Sequence, residues 1–103
     1  MVLSKIKDFI CPTLQVLEEL GGEASLKGIE DNFYKRFGRS LDPSKDWNEI
    51  RGNHGKALWR DYCGSRVAHY YLLPEGYITV EPHGNKGSTY RLTRGGRTKL
   101  QSC

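Results

Sequence analysis

The sequence predicts an α+β domain in which three helices lead into a C-terminal β-hairpin. One observation places the hairpin: Ile78 and Val80 alternate with Tyr77 and Thr79, and Tyr90 and Leu92 alternate with Arg91 and Thr93. That period of two marks half-buried strands, so residues 77–81 and 89–93 are expected to pair antiparallel. Between them, Glu81-Pro-His-Gly-Asn-Lys-Gly-Ser88 carries two glycines, a proline and an asparagine, which is turn chemistry. A second observation places the helices: upstream apolar residues recur at intervals of three and four.

Pro12 suits the first position of a helix, where its missing N–H costs nothing. Leu14, Leu17 and Leu20 follow at helical spacing, with Val16 beside them, and Gly21-Gly22 stop the helix. Ile6, Phe9 and Ile10 belong either to this helix or to a separate leading turn. Ser25 is a good N-cap for a second helix reaching Phe37, with Gly38 closing it. Leu26, Ile29, Phe33 and Phe37 form its apolar stripe, while Lys27, Glu30, Asp31, Lys35 and Arg36 are polar. Residues 38–55 read as loop, within which Asp46-Trp47-Asn48-Glu49 has capping-box spacing for a short helical turn that would bury Trp47 and Ile50.

The third helix admits two extents. It runs from Lys56 to Leu73, or it breaks at Gly64 and restarts at Ser65 to cover Arg66–Leu73. In the shorter version Ala68, Tyr71 and Leu72 share the core face, while Arg66, His69, Tyr70 and Leu73 face away. In the longer one Arg60 joins the exposed surface. Pro74 ends the helix and Gly76 turns the chain into the first strand. A shared core of Leu17, Leu20, Leu26, Ile29, Phe33, Leu72 and Ile78 follows from these faces.

Composition bounds the function. At 103 residues, residues 1–103 are expected to form one domain around one core. With 37% hydrophobic and 27% charged residues the chain is globular in composition. It has no apolar run of about 18 residues, so no membrane span is expected, and Met1–Lys7 lacks the features of a signal peptide. Three widely spaced cysteines, Cys11, Cys63 and Cys103, do not read as a disulfide framework, which favours a reduced, cytoplasmic setting. Charge is uneven. Residues 1–50 hold 7 Lys and Arg against 9 acids, whereas residues 51–103 hold 9 against 3, Asp61, Glu75 and Glu81. Basic charge gathered around the third helix and hairpin is the footprint of a polyanion partner, although a solvated basic face would look the same.

Helix, helix, helix, hairpin is the order of a winged helix-turn-helix with a C-terminal β-hairpin wing. The segments "LQVLEELGG" (14–22), "SLKGIEDNF" (25–33), "YLLPEGYI" (71–78) and "YRLTRGGR" (90–97) resemble the N-terminal winged-helix domains of Mrr-type restriction proteins and related bacterial regulators. Residues 38–55 form a long insert outside that resemblance. The resemblance implies a DNA-binding module, either a small transcription regulator or the DNA-reading domain of a restriction-modification protein.

The physical account of DNA binding stands beside it. A major groove admits one helix, so Arg66 can fork onto guanine, with His69 and Tyr70 on bases or phosphate and Arg60 added if the helix is long. His83, Asn85, Lys86 and Ser88, with Gly84 and Gly87, make a flexible, basic hairpin tip suited to phosphate or the minor groove. Arg91, Arg94, Arg97 and Lys99 offer further backbone contacts; otherwise Arg91 points to solvent from a strand face, and Arg94 and Arg97 are solvated at a helix terminus or in a tail. Tyr62, Tyr71, Tyr77 and Tyr90 read as core more than as stacking platforms. The expected partner is double-stranded DNA, compatible with a homodimer or a larger effector protein and with no membrane. The alternative is a winged helix used for protein–protein contacts, which Tyr70 and Leu73 leave open.

Other chemistry has little support. Cys63 and His69 lack the spacing of a zinc site. His54, Asp46 and Glu49 do not make a convergent metal nuclease centre, and the glycine stretches are not phosphate-cradling loops. No cofactor, metal or enzymatic activity is expected.

Overall fold

The computed structural model describes Leu3, residues 6–40 and residues 67–103. The expected turn at Asp46–Glu49, Trp47, Ile50, the glycine-bearing loop with His54, Arg60, Tyr62, Cys63 and Arg66 lie outside the described residues.

A 3₁₀ turn, Ile6–Phe9, runs directly into α1, Ile10–Glu19. Pro12 therefore sits inside the first turn of α1 and not at its first position. It is tolerated there because the first four amides of a helix have no carbonyl to bond. α1 buries Leu14, Val16 and Leu17 and ends as expected at the two glycines. Gly21 and Gly22 adopt φ of 87° and 95°, and the Gly22 N–H donates to the Leu17 carbonyl at 2.8 Å, a left-handed closure that side chains disfavour.

The released chain forms β1, Glu23–Ser25, and then α2, Leu26–Phe37. Ser25 caps α2, its hydroxyl accepting the Gly28 N–H at 3.1 Å. Ile29 and Phe33 are buried, with Leu26 and Phe37 at the core's edge. Phe33 stacks on Phe9 at 5.3 Å between ring centroids. Gly38 closes α2 as its C-cap, as expected, without a left-handed turn. Its φ is −56°, and the chain tightens into a 3₁₀ turn, Gly38–Ser40.

The third helix, α3, is described over Val67–Leu72. It is wound more widely than an α-helix: the Leu73 N–H bonds the Ala68 carbonyl at 2.8 Å, five residues back, and past its end, with Gly76 left-handed, the Tyr77 N–H closes on the Leu72 carbonyl at 2.9 Å. Val67, Ala68 and Leu72 are buried, Tyr71 is half-buried, and His69, Tyr70 and Leu73 are exposed. The hairpin follows as β2, Ile78–Pro82, and β3, Ser88–Leu92, antiparallel with Val80 opposite Tyr90. β3 also pairs with β1, Ala24 opposite Tyr90, giving a three-stranded sheet ordered β1-β3-β2. Leu17, Ile29, Phe33, Leu72 and Ile78 share one core, with Leu20 and Leu26 packed against it.

Two further features depart from the sequence reading. The residues after the hairpin, Arg94–Gln101, to which the sequence assigns no helix of their own, form α4. Thr93 caps it, accepting the Gly96 N–H at 3.0 Å, and donates its own hydroxyl to the Gly76 carbonyl at 2.5 Å. Gly96 is buried because the helix lies so close to the Tyr77 carbonyl oxygen that an added Cβ would overlap it. Secondly, Cys11 and Cys103 form a disulfide, with Cα atoms 6.0 Å apart and 92 residues apart in sequence. The expectation of no disulfide is therefore corrected: an odd count hides one pair, and sequence spacing does not reveal which cysteines the fold brings together.

The close approach at Gly96 decides the sign of a substitution. Alanine is the better helix former by about 1 kcal/mol, so an open site would be stabilised. Here Gly96→Ala is expected to destabilise by about 1–3 kcal/mol in denaturant melts, because the clash is with backbone. A variant as stable as the parent would rule out this packing. Ile29→Ala, at a fully buried position, should cost about 2–5 kcal/mol.

Candidate nucleic-acid interface

The hairpin tip is closed by its own bonds. His83 N–H donates to the Gly87 carbonyl at 2.8 Å, the Lys86 N–H donates to the His83 carbonyl at 3.2 Å, and His83 Nε2 pairs with Thr89 Oγ1 at 2.8 Å. These bonds shape the tip into a turn, Gly84–Lys86 being a single 3₁₀ turn. Residues 81–87 are all exposed, and Ser88, where β3 leaves the turn, is half-buried.

α3 meets the wing at its root. His69 Nε2 lies 3.4 Å from the Tyr90 hydroxyl, and the two rings meet edge to face. Tyr90 is on the inner face of the central strand, and burial raises its hydroxyl pKa above the ordinary value. His69 thus faces outward while touching the strand that carries the wing. Tyr70 beside it is 71% exposed. His69, Tyr70, His83, Asn85, Lys86 and Ser88 therefore fall along one stretch, from the end of α3 through the root of the wing to its tip.

Three of the sequence-selected arginines do not join it. Arg91 points from the outer face of the sheet and is gripped by Glu23 of β1 at 2.7 Å and by Glu81 of β2. The bonds to Glu23 and Glu81 raise the guanidinium pKa, and the Arg91 hydrogen bond, then its charge, lowers that of Glu81. Arg97 pairs with Glu18 of α1 at 3.1 Å. Arg94 opens α4 beyond Leu92, the end of β3 away from the wing tip, about 14 Å of strand from Ser88. Lys99 lies further along the same helix. By contrast, among the described residues no ion pair engages His83 or Lys86. Arg60 and Arg66 lie outside the described residues.

Two of the acids that hold Arg91 and Arg97 were not visible as partners in sequence, since Glu23 and Glu18 are 68 and 79 residues away; Glu81 is ten residues from Arg91, across the expected hairpin. Thr93 and Gly96 were also missed as positioning residues. Their signal was present in Thr-x-x-Gly, an N-cap whose oxygen accepts the amide three residues on.

No family model and no curated protein matches the chain. Among solved structures it is similar to F93 from STIV, described as a winged-helix DNA-binding protein, with a TM-score of 0.55 and 16% identity over 97% of this chain and 86% of that one. At that identity the likeness concerns the fold, which is a winged helix: α1, α2 and α3 pack with the sheet, and β2–β3 is the wing. Among the described residues no helix is long and apolar enough to cross a membrane.

The Arg91 clamp gives a pH signature. Because the folded-state pKa of Glu81 is lowered, its contribution is intact above the unfolded carboxylate value and is lost as pH falls through the lower folded one. In an NMR titration the Glu81 carboxyl should titrate below the ordinary glutamate range, and Arg91→Ala should return it toward that range. An unchanged titration would dissolve the clamp.

Proposed function

We propose that the chain is a DNA-binding winged-helix module, with α3 in the major groove and the basic wing on the phosphate backbone. The observation that carries this reading is the exposed wing tip, whose Lys86 is engaged by no ion pair among the described residues and whose His83 bonds Thr89 of β3, the residue beside the Tyr90 that the outward-facing His69 of α3 touches. A helix that presents polar side chains can reach base edges, and a cationic turn beside it can hold phosphate without reading sequence. Within this interface we place His69, Tyr70, His83, Asn85, Lys86 and Ser88. Arg60 and Arg66, which precede the described turn of α3 in sequence, stay in the proposal as base or phosphate contacts. Arg91 and Arg97 are assigned instead to holding the sheet and α4, and Arg94 to a separate surface.

The narrower form of the proposal is a single-domain, non-enzymatic protein of the cytoplasm, acting as a small transcription regulator or as the DNA-reading part of a restriction-type protein, as a homodimer or joined to a larger effector. A second reading is supported by Tyr70 and Leu73, both large, apolar in part and exposed, which suit a protein partner on α3.

A duplex titration at several salt concentrations separates the two. Lys86→Ala should weaken binding to every duplex about equally and reduce the salt slope by about 1, since each phosphate contact releases about one counterion. Arg91→Ala should leave that slope unchanged. Arg66→Ala should cost about 1–3 kcal/mol on a preferred duplex and little on a random one. Binding of duplex that is absent, or indifferent to salt, would favour the protein-partner reading.

A further inference from the structure

The Cys11–Cys103 bond joins the first turn of α1 to the chain just past α4, whose Leu100 packs against the core. α4 is eight residues long and contains Gly95 and Gly96, too short and too glycine-rich to persist unaided. Its ion pair to α1, Arg97–Glu18, is half-exposed on both sides and contributes little. At its near end α4 is built on the turn that ends α3: Thr93 donates its hydroxyl to the Gly76 carbonyl and its N–H to the Tyr77 carbonyl at 3.0 Å, and Gly96 packs on that same carbonyl oxygen. Tyr77 N–H in turn closes α3 on Leu72. A continuous set of contacts thus runs from the disulfide through α4 to the last turn of α3.

We propose that Cys11–Cys103 is a thiol-exchangeable clasp that holds α4 against α1 and thereby sets the turn on which α3 ends, so that its reduction loosens that turn. The geometry suits exchange. Cys103 is exposed, two residues past α4, whereas Cys11 is half-buried in the first turn of α1. The two sulfurs border an open, largely apolar groove beside Pro12, Phe37, Leu100 and Arg36. A thiolate of a dithiol reductant attacks Cys103 Sγ, and the S–S bond breaks. Cys11, in the first turn of α1, leaves as a thiolate and then takes a proton from water. The reductant's second thiol displaces Cys103 from the mixed disulfide. Two electrons pass from the dithiol, which becomes a cyclic disulfide, and the protein gains two thiols. The consequence for DNA rests on the function proposed above; the loosening itself does not.

The test uses the full chain with Cys63→Ser, which leaves one possible pair, followed with and without dithiothreitol by amide hydrogen exchange, thermal melting and duplex binding. The oxidised protein should yield a linked Cys11–Cys103 peptide. Reduction should lower protection of residues 73–77 and of 94–103 by about tenfold or more, lower the melting midpoint by on the order of 10 °C, and weaken duplex binding about fivefold. Adding Cys103→Ser should give the reduced behaviour at either poise, and the reduction arm stands without that variant. Unchanged protection of 73–77 on reduction, or no linked peptide, would overturn the clasp. Loss of protection without duplex binding by either form would leave the clasp standing and overturn the DNA reading.

Discussion

Pairing of β3 along both of its edges is the constraint on which the remaining structure depends. β1 is three residues long and contributes a short edge, and β2 is the outer edge of the hairpin. Neither would persist without the central strand to satisfy its amides and carbonyls. Because Tyr90 lies opposite both Ala24 and Val80, register is fixed from two sides, and a slip by one residue would turn Tyr90 and Leu92 outward and Arg91 inward. With that register set, the inner face receives α3 through the Tyr90–His69 contact. The outer face binds its three strands through Glu23, Arg91 and Glu81. The end of β3 nearest the core delivers Thr93 to the place where it can cap α4.

Elements with strong local signals were legible in the sequence. The Ile78/Val80 and Tyr90/Leu92 alternations became β2 and β3 within a residue, and the stripe of Leu26, Ile29, Phe33 and Phe37 became α2 behind its Ser25 cap. What could not be read was set by tertiary contact. Glu23-Ala-Ser25 is too short for periodicity and is a strand only because β3 lies beside it. Arg94-Gly-Gly-Arg97 has poor helix propensity, and a glycine pair usually means a turn. Here Gly96 serves a different need, since only a residue without Cβ lets α4 approach the Tyr77 carbonyl. The wide winding of α3 and the Cys11–Cys103 pairing are likewise properties of the assembled fold.

The candidate site divides in the same way. Residue types were legible: an exposed His69 and Tyr70 on a helix, and a basic turn at His83–Lys86. Which cations remain available was not, because availability depends on acids that come from elsewhere. Among the described residues, Glu18 and Glu23 belong to the acidic first half of the chain and Arg97 and Arg91 to the basic second half, so these two ion pairs join the halves, while Arg91–Glu81 lies within the second.

The charge asymmetry of the sequence is therefore not simply transferred to the surface. Two of the arginines that make the second half basic are spent inside the protein's own electrostatics, on the back of the sheet and between α1 and α4. Exposed ion pairs of this kind add little stability, yet they change what a polyanion meets, since a paired guanidinium must give up its carboxylate before it can bind phosphate. A wing tip free of such partners presents its charge at no comparable cost. Lys86 is one charge and Arg91 is another, but only the first stands at the end of a projecting turn with no acid opposite it among the described residues. Position within the fold, more than net charge, selects the surface a phosphate backbone would find.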